Sequence, residues 1–488
     1  MNTQTAVLHP RNENPAIQAQ KFLVAGEWRT GQHSLEISSP WRDEDIATIG
    51  LAEAVDVEDA LKAAESSRPQ LAETSRWDRA NTLEQLAALV TDHSEDLALL
   101  LVEEVGKTLR DARGEVGRTI STLRFAADAA RNLVGDILPL DAMKEARGKF
   151  GYTVTEPIGT VIGIPAANFP LLIAAHKIAP AVGAGCPIIL KAPDLTPRVV
   201  LRLAELLIEA GWPAVGISVL TGGPSIGEAL IRDDRPRLVS FTGSSPIGKL
   251  IASQAGFKRL LLELGSNAAT IVSESADVNL AASRIVTGAF AAAGQSCISV
   301  QRVYVHHARR QELEDLIVEK TSKIRLGTTE DRDADLGPLL TESAAKRVED
   351  MVKDAVDQGA QLLTGGRRTG RFFEATVVSG LTQSMDLHRE EVFGPVVALA
   401  EFSTFEEALD LANDSKYGLQ AGVFTDSSSE AHLAARRLEV GGVHINEISM
   451  WRADHMPYGG VKDSGFGKEG PAWAMREMTV NKVVSWKQ

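Results

Sequence analysis

Between Val55 and about Val134, apolar residues recur at helical spacing, and Leu83, Leu86, Ala87 and Val90 mark one buried face. The stretch predicts successive amphipathic helices, with Asp56 and Ser75 as N-caps. From Thr160 the texture changes. Short apolar runs with β-branched residues (160–164, 187–191, 216–220, 238–241 and 259–264) alternate with helix-like segments at 197–210, 225–231 and 246–255. Strand and helix repeated in this way predict a parallel sheet covered by helices. A second α/β segment follows, with strands at 268–272 and 300–306 and helices at 278–293 and 311–324. Further strands are expected at 396–402, 421–424 and 442–446, and a Gly/Asp-rich loop at 327–335. The last fourteen residues, 475–488, hold Val480, Val483, Val484 and Trp486. A strand there either pairs with another subunit or finishes a local sheet.

Length and charge narrow the class. At roughly 100–200 residues per domain, 488 residues suggest two or three domains. An apolar content of 44% is enough for a sizeable core without a disulfide scaffold. Lys plus Arg is 51 against 65 for Asp plus Glu, a net charge of −14, which disfavours binding to nucleic acid or to anionic membrane. Residues 1–21 are polar and lack the apolar core of a signal peptide. The long weakly charged stretch 157–190 is interrupted by Lys177 and by prolines, which a membrane helix tolerates poorly. Two cysteines, Cys186 and Cys297, give neither a Cys-rich metal site nor a secreted disulfide framework. No metal is expected, and a reducing cytoplasm fits best.

Open parallel sheets bind ligands outside the carboxyl ends of their strands. At those predicted ends stand Asn168, then Lys191 with Asp194 just beyond, then Thr221-Gly222-Gly223, Phe241-Thr242-Gly243-Ser244 and Glu263-Leu264-Gly265. That row reads as a nucleotide crevice with chemistry at one end. Gly243 to Lys249 nearly matches a phosphate loop, but the eighth position is Leu250, so the hydroxyl needed for Mg²⁺ is missing. The strand-to-helix turn still suits a pyrophosphate, with a plain tight turn as the lesser alternative from spacing alone. Cys186, between Gly185 and Pro187, reads as inert packing, whereas Cys297 sits in a small polar loop where a thiolate can be exposed and activated. The apolar flanks of Glu263 favour a buried, functional carboxylate over a surface one.

Taken together, several motifs resemble the aldehyde dehydrogenase superfamily: Asn168-Phe169-Pro170, Ala175-His176-Lys177, Lys191 with Thr196-Pro197, Phe241-Thr242-Gly243-Ser244 with Gly248, Glu263-Leu264-Gly265, Gly294-Gln295-Ser296-Cys297, Glu391-Val392-Phe393-Gly394-Pro395, and Pro457-Tyr458-Gly459-Gly460-Val461-Lys462 with Ser464-Gly465. They span most of the chain in the family's order. The resemblance implies Cys297 as nucleophile, Asn168 as side-chain donor of the oxyanion hole, and Glu263 as general base. Lys191 and Glu391 resemble contacts to the cofactor riboses, with Gly243, Ser244 and Phe393 along the cofactor path, and Glu469 matches a second carboxylate of a proton relay. NAD is the expected cofactor, with NADP possible, because Asp194 beside Lys191 is placed to repel a 2′-phosphate.

The resemblance also implies the architecture: two Rossmann-like parallel-sheet domains and a small oligomerisation segment. Residues 1–133 and 152–262 are expected to bind cofactor, 263–453 to form the catalytic domain, and 134–151 with 474–488 to assemble a homodimer or homotetramer. Two departures reshape the pocket. Ala167 replaces the usual Trp before the oxyanion asparagine, which widens the site, and Ser266-Asn267 replaces the usual Gly-Lys. The Glu263–Asn267 and Arg452–Pro457 versions resemble a branch that includes lactaldehyde, phosphonoacetaldehyde and sulfolactaldehyde dehydrogenases. A small hydrophilic aldehyde, neutral or anionic, is therefore the expected substrate, with Arg452, His455, Arg113 and Arg118 as candidates to hold it. Two other readings compete: a CoA-acylating dehydrogenase, and a catalytically idle binding or structural protein. Retention of Glu263 argues against the first, and Cys297, Asn168 and Glu263 together argue against the second.

Overall fold

The structure, a computed structural model, describes residues 19–327, 331 and 334–487. Of the expected loop at 327–335, residues 328–330, 332 and 333 lie outside the described residues, as do residues 1–18 of the polar N-terminus and Gln488.

Among the described residues, five short strands between Ala19 and Gly50 precede four helices: α1 (Ala54–Glu73), α2 (Arg76–Asp92), α3 (Ser94–Val105) and α4 (Leu109–Arg131). Leu83, Leu86, Ala87 and Val90 are all buried, as their spacing requires. Ser75 caps α2 by accepting the Asp78 N–H at 3.1 Å. Asp56 is not an N-cap. It lies in the first turn of α1, where its carboxylate accepts the backbone N–H of Glu53, the true cap position, at 2.8 Å. An acid in either place satisfies the same open helix end, so the composition could not separate them.

The first large sheet has eight strands in the order 465–466, 259–263, 238–242, 161–164, 188–191, 217–220, 22–24 and 27–29. The five strands from Arg259–Glu263 to Ile217–Leu220 are parallel. They are nearly continuous apolar runs because helices cover both faces. Those helices include α5 (Pro170–Ala184), α6 (Pro197–Glu209), α7 (Pro224–Arg232) and α8 (Ser245–Gln254). The chain builds outward on one side from Val161–Ile164, then returns to its other side with Leu238–Thr242. That reversal of strand order opens a crevice at the carboxyl ends of the two strands, next to Asn168 and Gly243-Ser244.

The second sheet has seven strands, in the order 361–364, 376–379, 396–402, 302–306, 269–272, 420–424 and 442–445. All its pairings are parallel except the first. It has its own core around Val303, Leu399, Phe424 and Phe290. The expected helix over 278–293 stops earlier, at α9 (Val278–Phe290). Ala292 and Ala293 both turn left-handed, with φ of 50° and 55°, and no helix continues through such residues.

The C-terminal strand, Thr479–Lys487, pairs antiparallel with Lys149–Pro157 of its own chain, so it finishes a local three-stranded sheet. It forms an edge of that sheet, with Val483 and Trp486 exposed. Among the described residues, no helix is long and apolar enough to cross a membrane.

Candidate active site

A cavity of about 880 Å³ is lined by residues of both large sheets and the loops between them. Asn168 enters it from the loop before α5, Glu263 from the end of its strand, and Cys297 from the loop after α9. The structure therefore brings together three residues that lie far apart in sequence.

Asn168 is fixed by one of its own N–H groups, which donates to the Gln295 carbonyl at 2.8 Å. The bond ties the asparagine directly to the Cys297 loop and leaves a second amide N–H. Cys297 is part-buried, and its Sγ shares a hydrogen bond with the Tyr458 hydroxyl at 3.1 Å. Burial pushes the thiol up to about 12; the Tyr458 bond pulls it down, and Glu391 and Glu263 push it further up. The loop does not present a ready thiolate, as its polar composition suggested. Its neighbours Gln295 and Ser296 are buried, which withdraws solvent from the sulfur. Positive charge brought into the cavity would lower the thiol again.

Glu263 is buried, and its Oε2 has no hydrogen-bond partner among the described residues. Burial, and after it the nearby Glu469, hold its carboxyl well above the ordinary value of 4.5; Arg452, Lys177 and Lys468 act in the opposite direction. Glu469 is itself buried between two cations. Its Oε1 lies 3.4 Å from Lys177 Nζ and its Oε2 3.7 Å from an Arg452 nitrogen. Lys177 also donates to Thr242 Oγ1 at 2.9 Å and Ser240 Oγ at 3.2 Å.

Lys177 and Tyr458 had no role in the sequence reading beyond membership of motifs. For Lys177 a signal existed. It is the lone Lys or Arg on α5, a helix apolar all round apart from His176 beside it, and a charge on such a helix is buried and needs partners.

Of the four candidate substrate residues, two line the cavity. Arg452, whose side chain is 8% exposed, stacks its guanidinium 3.8 Å from the Tyr458 ring centre and donates to His176 Nε2 at 3.1 Å. His176 therefore accepts through Nε2. Burial and the adjacent Arg452 hold it well below 6.5, in the neutral form. Arg118 reaches the cavity wall with two donors on Asp454 Oδ1, at 3.0 and 2.8 Å. The other two are not brought to the site. Arg113 is largely exposed and forks onto Glu95. His455 is exposed and packs on the Phe125 ring, 4.6 Å between centres.

The candidate cofactor residues divide similarly. Gly243, Ser244, Glu391 and Phe393 line the cavity. Ser244 is the N-cap of α8 and makes no side-chain cap bond, so first-turn N–H groups stay open to an anion. Glu391 accepts the Ser266 N–H at 3.1 Å, and burial raises its carboxyl to about 7. Lys191 and Asp194 pair with each other at 2.6 Å at the end of their strand, outside the cavity lining.

Two mostly parallel sheets meeting at a cleft that holds a thiol and buried carboxylates define an α/β protein with a deep polar site. Residues 28–484 match the sequence pattern of the aldehyde dehydrogenase family, and the chain belongs to that family. It is 42% identical to a 3-sulfolactaldehyde dehydrogenase of Priestia aryabhattai over 465 residues, covering 95% of this chain and 97% of that one. Among solved structures it resembles aldehyde dehydrogenase 21 of Physcomitrella patens in complex with the reaction product succinate. The TM-score is 0.94 and the identity 37%, with 96% of this chain and 98% of that one covered. A glyceraldehyde-3-phosphate dehydrogenase of Methanocaldococcus jannaschii, complexed with NADP, aligns with a TM-score of 0.89 at 33% identity, covering 93% and 99%.

Proposed function

We propose that the protein oxidises a small aldehyde with an anionic far end to the carboxylic acid, with NAD(P), through a covalent thioester on Cys297. The observation that carries the substrate reading is Arg452, a guanidinium almost wholly withdrawn from water in the cavity that holds Cys297. Arg452 and Lys177 share one carboxylate within ion-pair distance, Glu469. That balance favours an incoming anion. The relatives support it, since sulfolactaldehyde carries a sulfonate and succinate a second carboxylate.

The steps follow from the residues. Cys297 attacks the aldehyde carbon as the thiolate, its proton having passed to water, and the oxygen takes up the developing charge beside the second N–H of Asn168. NAD(P), when bound in this cavity, would supply the acceptor for the hydride that leaves this carbon. The resulting thioester is hydrolysed by water that loses a proton to Glu263. The cavity suits a dinucleotide because the open first turn of α8 can take a pyrophosphate, while Glu391 and Phe393 border the space beside Cys297. Glu263 in the same cavity favours water over CoA as the acyl acceptor. An acid product formed equally with and without CoA is the expected result.

Arg452→Ala tests the substrate class. Losing a charged hydrogen bond costs about 1.5–3 kcal/mol. KM for a sulfonated or carboxylated aldehyde should therefore rise on the order of tenfold to a hundredfold, with little change for a neutral aldehyde of equal length. Equal effects on both, or a wild-type preference for long apolar aldehydes, rule the reading out.

Asp194, pinned to Lys191, is proposed to favour NAD over NADP by repelling a 2′-phosphate. Asp194→Ala should raise the NADP-to-NAD ratio of kcat/KM. An unchanged ratio removes Asp194 from the assignment.

We assign residues 1–133 and 152–262 to cofactor binding and 263–453 to catalysis. Assembly of a homodimer or homotetramer is assigned to 134–151 and 474–488, supported by the exposed apolar side chains on the edge strand Thr479–Lys487. A cytoplasmic location fits two unpaired cysteines.

A further inference from the structure

The loop that delivers Cys297 is wound the wrong way for its residues. Ala292, Ala293 and Gly294 take φ of 50°, 55° and 67° in succession. Glycine adopts this conformation freely, but a left-handed alanine sets its Cβ against the following carbonyl. Among the described residues, this is the one place where two adjacent non-glycine residues both have positive φ. Backbone in such a state persists only where its surroundings hold it.

The holding contacts are specific. The carboxylate of Asp111, in the first turn of α4, accepts the Ala292 N–H at 3.2 Å. The Ala292 carbonyl accepts both the backbone N–H and the side-chain amide of Gln295, at 3.1 and 3.4 Å. One turn further along α4 is Glu115, whose side chain is fully buried. It pairs with Lys107 and accepts the N–H groups of Leu171 and Leu172, at 3.0 and 3.1 Å, which close the open end of α5 directly after Asn168. Lys107 in turn lies 3.2 Å from the Phe169 ring centre. The start of α4 thus grips the segment behind Asn168 with Glu115 and the segment ahead of Cys297 with Asp111.

We propose that Asp111 is a positioning residue. Through Ala292 it holds the left-handed turn that sets Cys297 against Asn168, although it does not itself line the cavity. The inference rests on the reading of Cys297 and Asn168 as nucleophile and oxyanion donor. A displacement of about 1 Å at reacting groups costs on the order of a hundredfold in rate, and without the Asp111 acceptor the strained turn keeps its Gln295 bonds but loses its anchor to α4.

The test is Asp111→Ala, measured for kcat, for KM of cofactor and aldehyde, for Tm, and for the rate of Cys297 alkylation by iodoacetamide. The expected result is a fall in kcat of roughly tenfold to a hundredfold, an altered alkylation rate, and little change in either KM. Asp111→Asn keeps an oxygen acceptor for the Ala292 N–H and should recover most of the turnover. Adding Ala292→Gly to Asp111→Ala should also recover turnover, because glycine holds the left-handed φ without support. This double variant keeps the test decisive if Asp111→Ala folds poorly. A lowered Tm with unchanged kcat in the folded fraction overturns the proposal, as does Ala292→Gly restoring nothing. If Cys297→Ala retains turnover, the underlying assignment fails instead, whatever Asp111→Ala does.

Discussion

Cys297→Ala should reduce turnover to background, a loss on the order of a millionfold in kcat when the nucleophile of a covalent mechanism is removed. Cofactor affinity should stay near wild type, because the open turn of α8 and Glu391 lie on elements other than the loop carrying Cys297. Reduction of NAD followed by absorbance measures the first and a binding titration the second. Cys186 is the control. It is buried, its Sγ donates to the Met478 carbonyl at 3.3 Å, and burial pushes its thiol up to about 11. Cys186→Ala should cost about 1 kcal/mol of stability through that bond and leave kcat unchanged. The Cys297 thiol, pushed up to about 12, carries a second expectation. In the free enzyme its alkylation should be slow at neutral pH and accelerate throughout the alkaline range. Near-normal turnover in a folded Cys297→Ala protein would sink the whole mechanism.

The parallel strands were legible because burial on both faces makes each an unbroken apolar run, and a strand's end then announces what the crevice contains. Asn168, Gly243, Ser244 and Glu263 were found in this way, and the cavity does contain them. Side chains whose direction depends on a helix phase or a loop path were not legible. Arg113 and Arg118 lie five residues apart on α4, so they point roughly 140° apart around the helix. Arg118 faces Asp454 and the cavity, while Arg113 faces Glu95. Arg452 and His455 share a segment with no periodicity to assign their directions, and tertiary packing sends one inward and the other out. The left-handed pair Ala292 and Ala293 was invisible for a different reason. Alanine is the strongest helix former, so a local reading extends α9 through both residues. Contacts from Asp111 and Gln295, distant or later in sequence, override that preference.

Glu263→Gln should separate the two halves of the reaction. Glutamine keeps the volume of the side chain, and Oε2 has no partner to lose among the described residues, so the fold should tolerate the change. Stability should if anything increase. Folding raises this carboxyl from an ordinary 4.5, so the folded chain keeps a proton that the unfolded chain releases. Native stability therefore declines as pH rises from the ordinary value towards the raised one, and glutamine removes that decline. Hydride transfer does not need the base, so a first equivalent of NADH should still form quickly. Thioester hydrolysis should slow by on the order of 10²–10⁴-fold, giving one rapid NADH phase under single turnover and a burst followed by a slow steady state under multiple turnover. The pH profile carries the same argument. A carboxyl held high acts as a base only above its raised pKa, so wild-type hydrolysis should climb with pH through that value and fall away below it. In Glu263→Gln this rising limb should vanish. If the variant instead hydrolyses its thioester at the wild-type rate and keeps the limb, the proton goes elsewhere. Glu469, bridging Lys177 and Arg452 in the same buried group, is then the carboxylate to replace next.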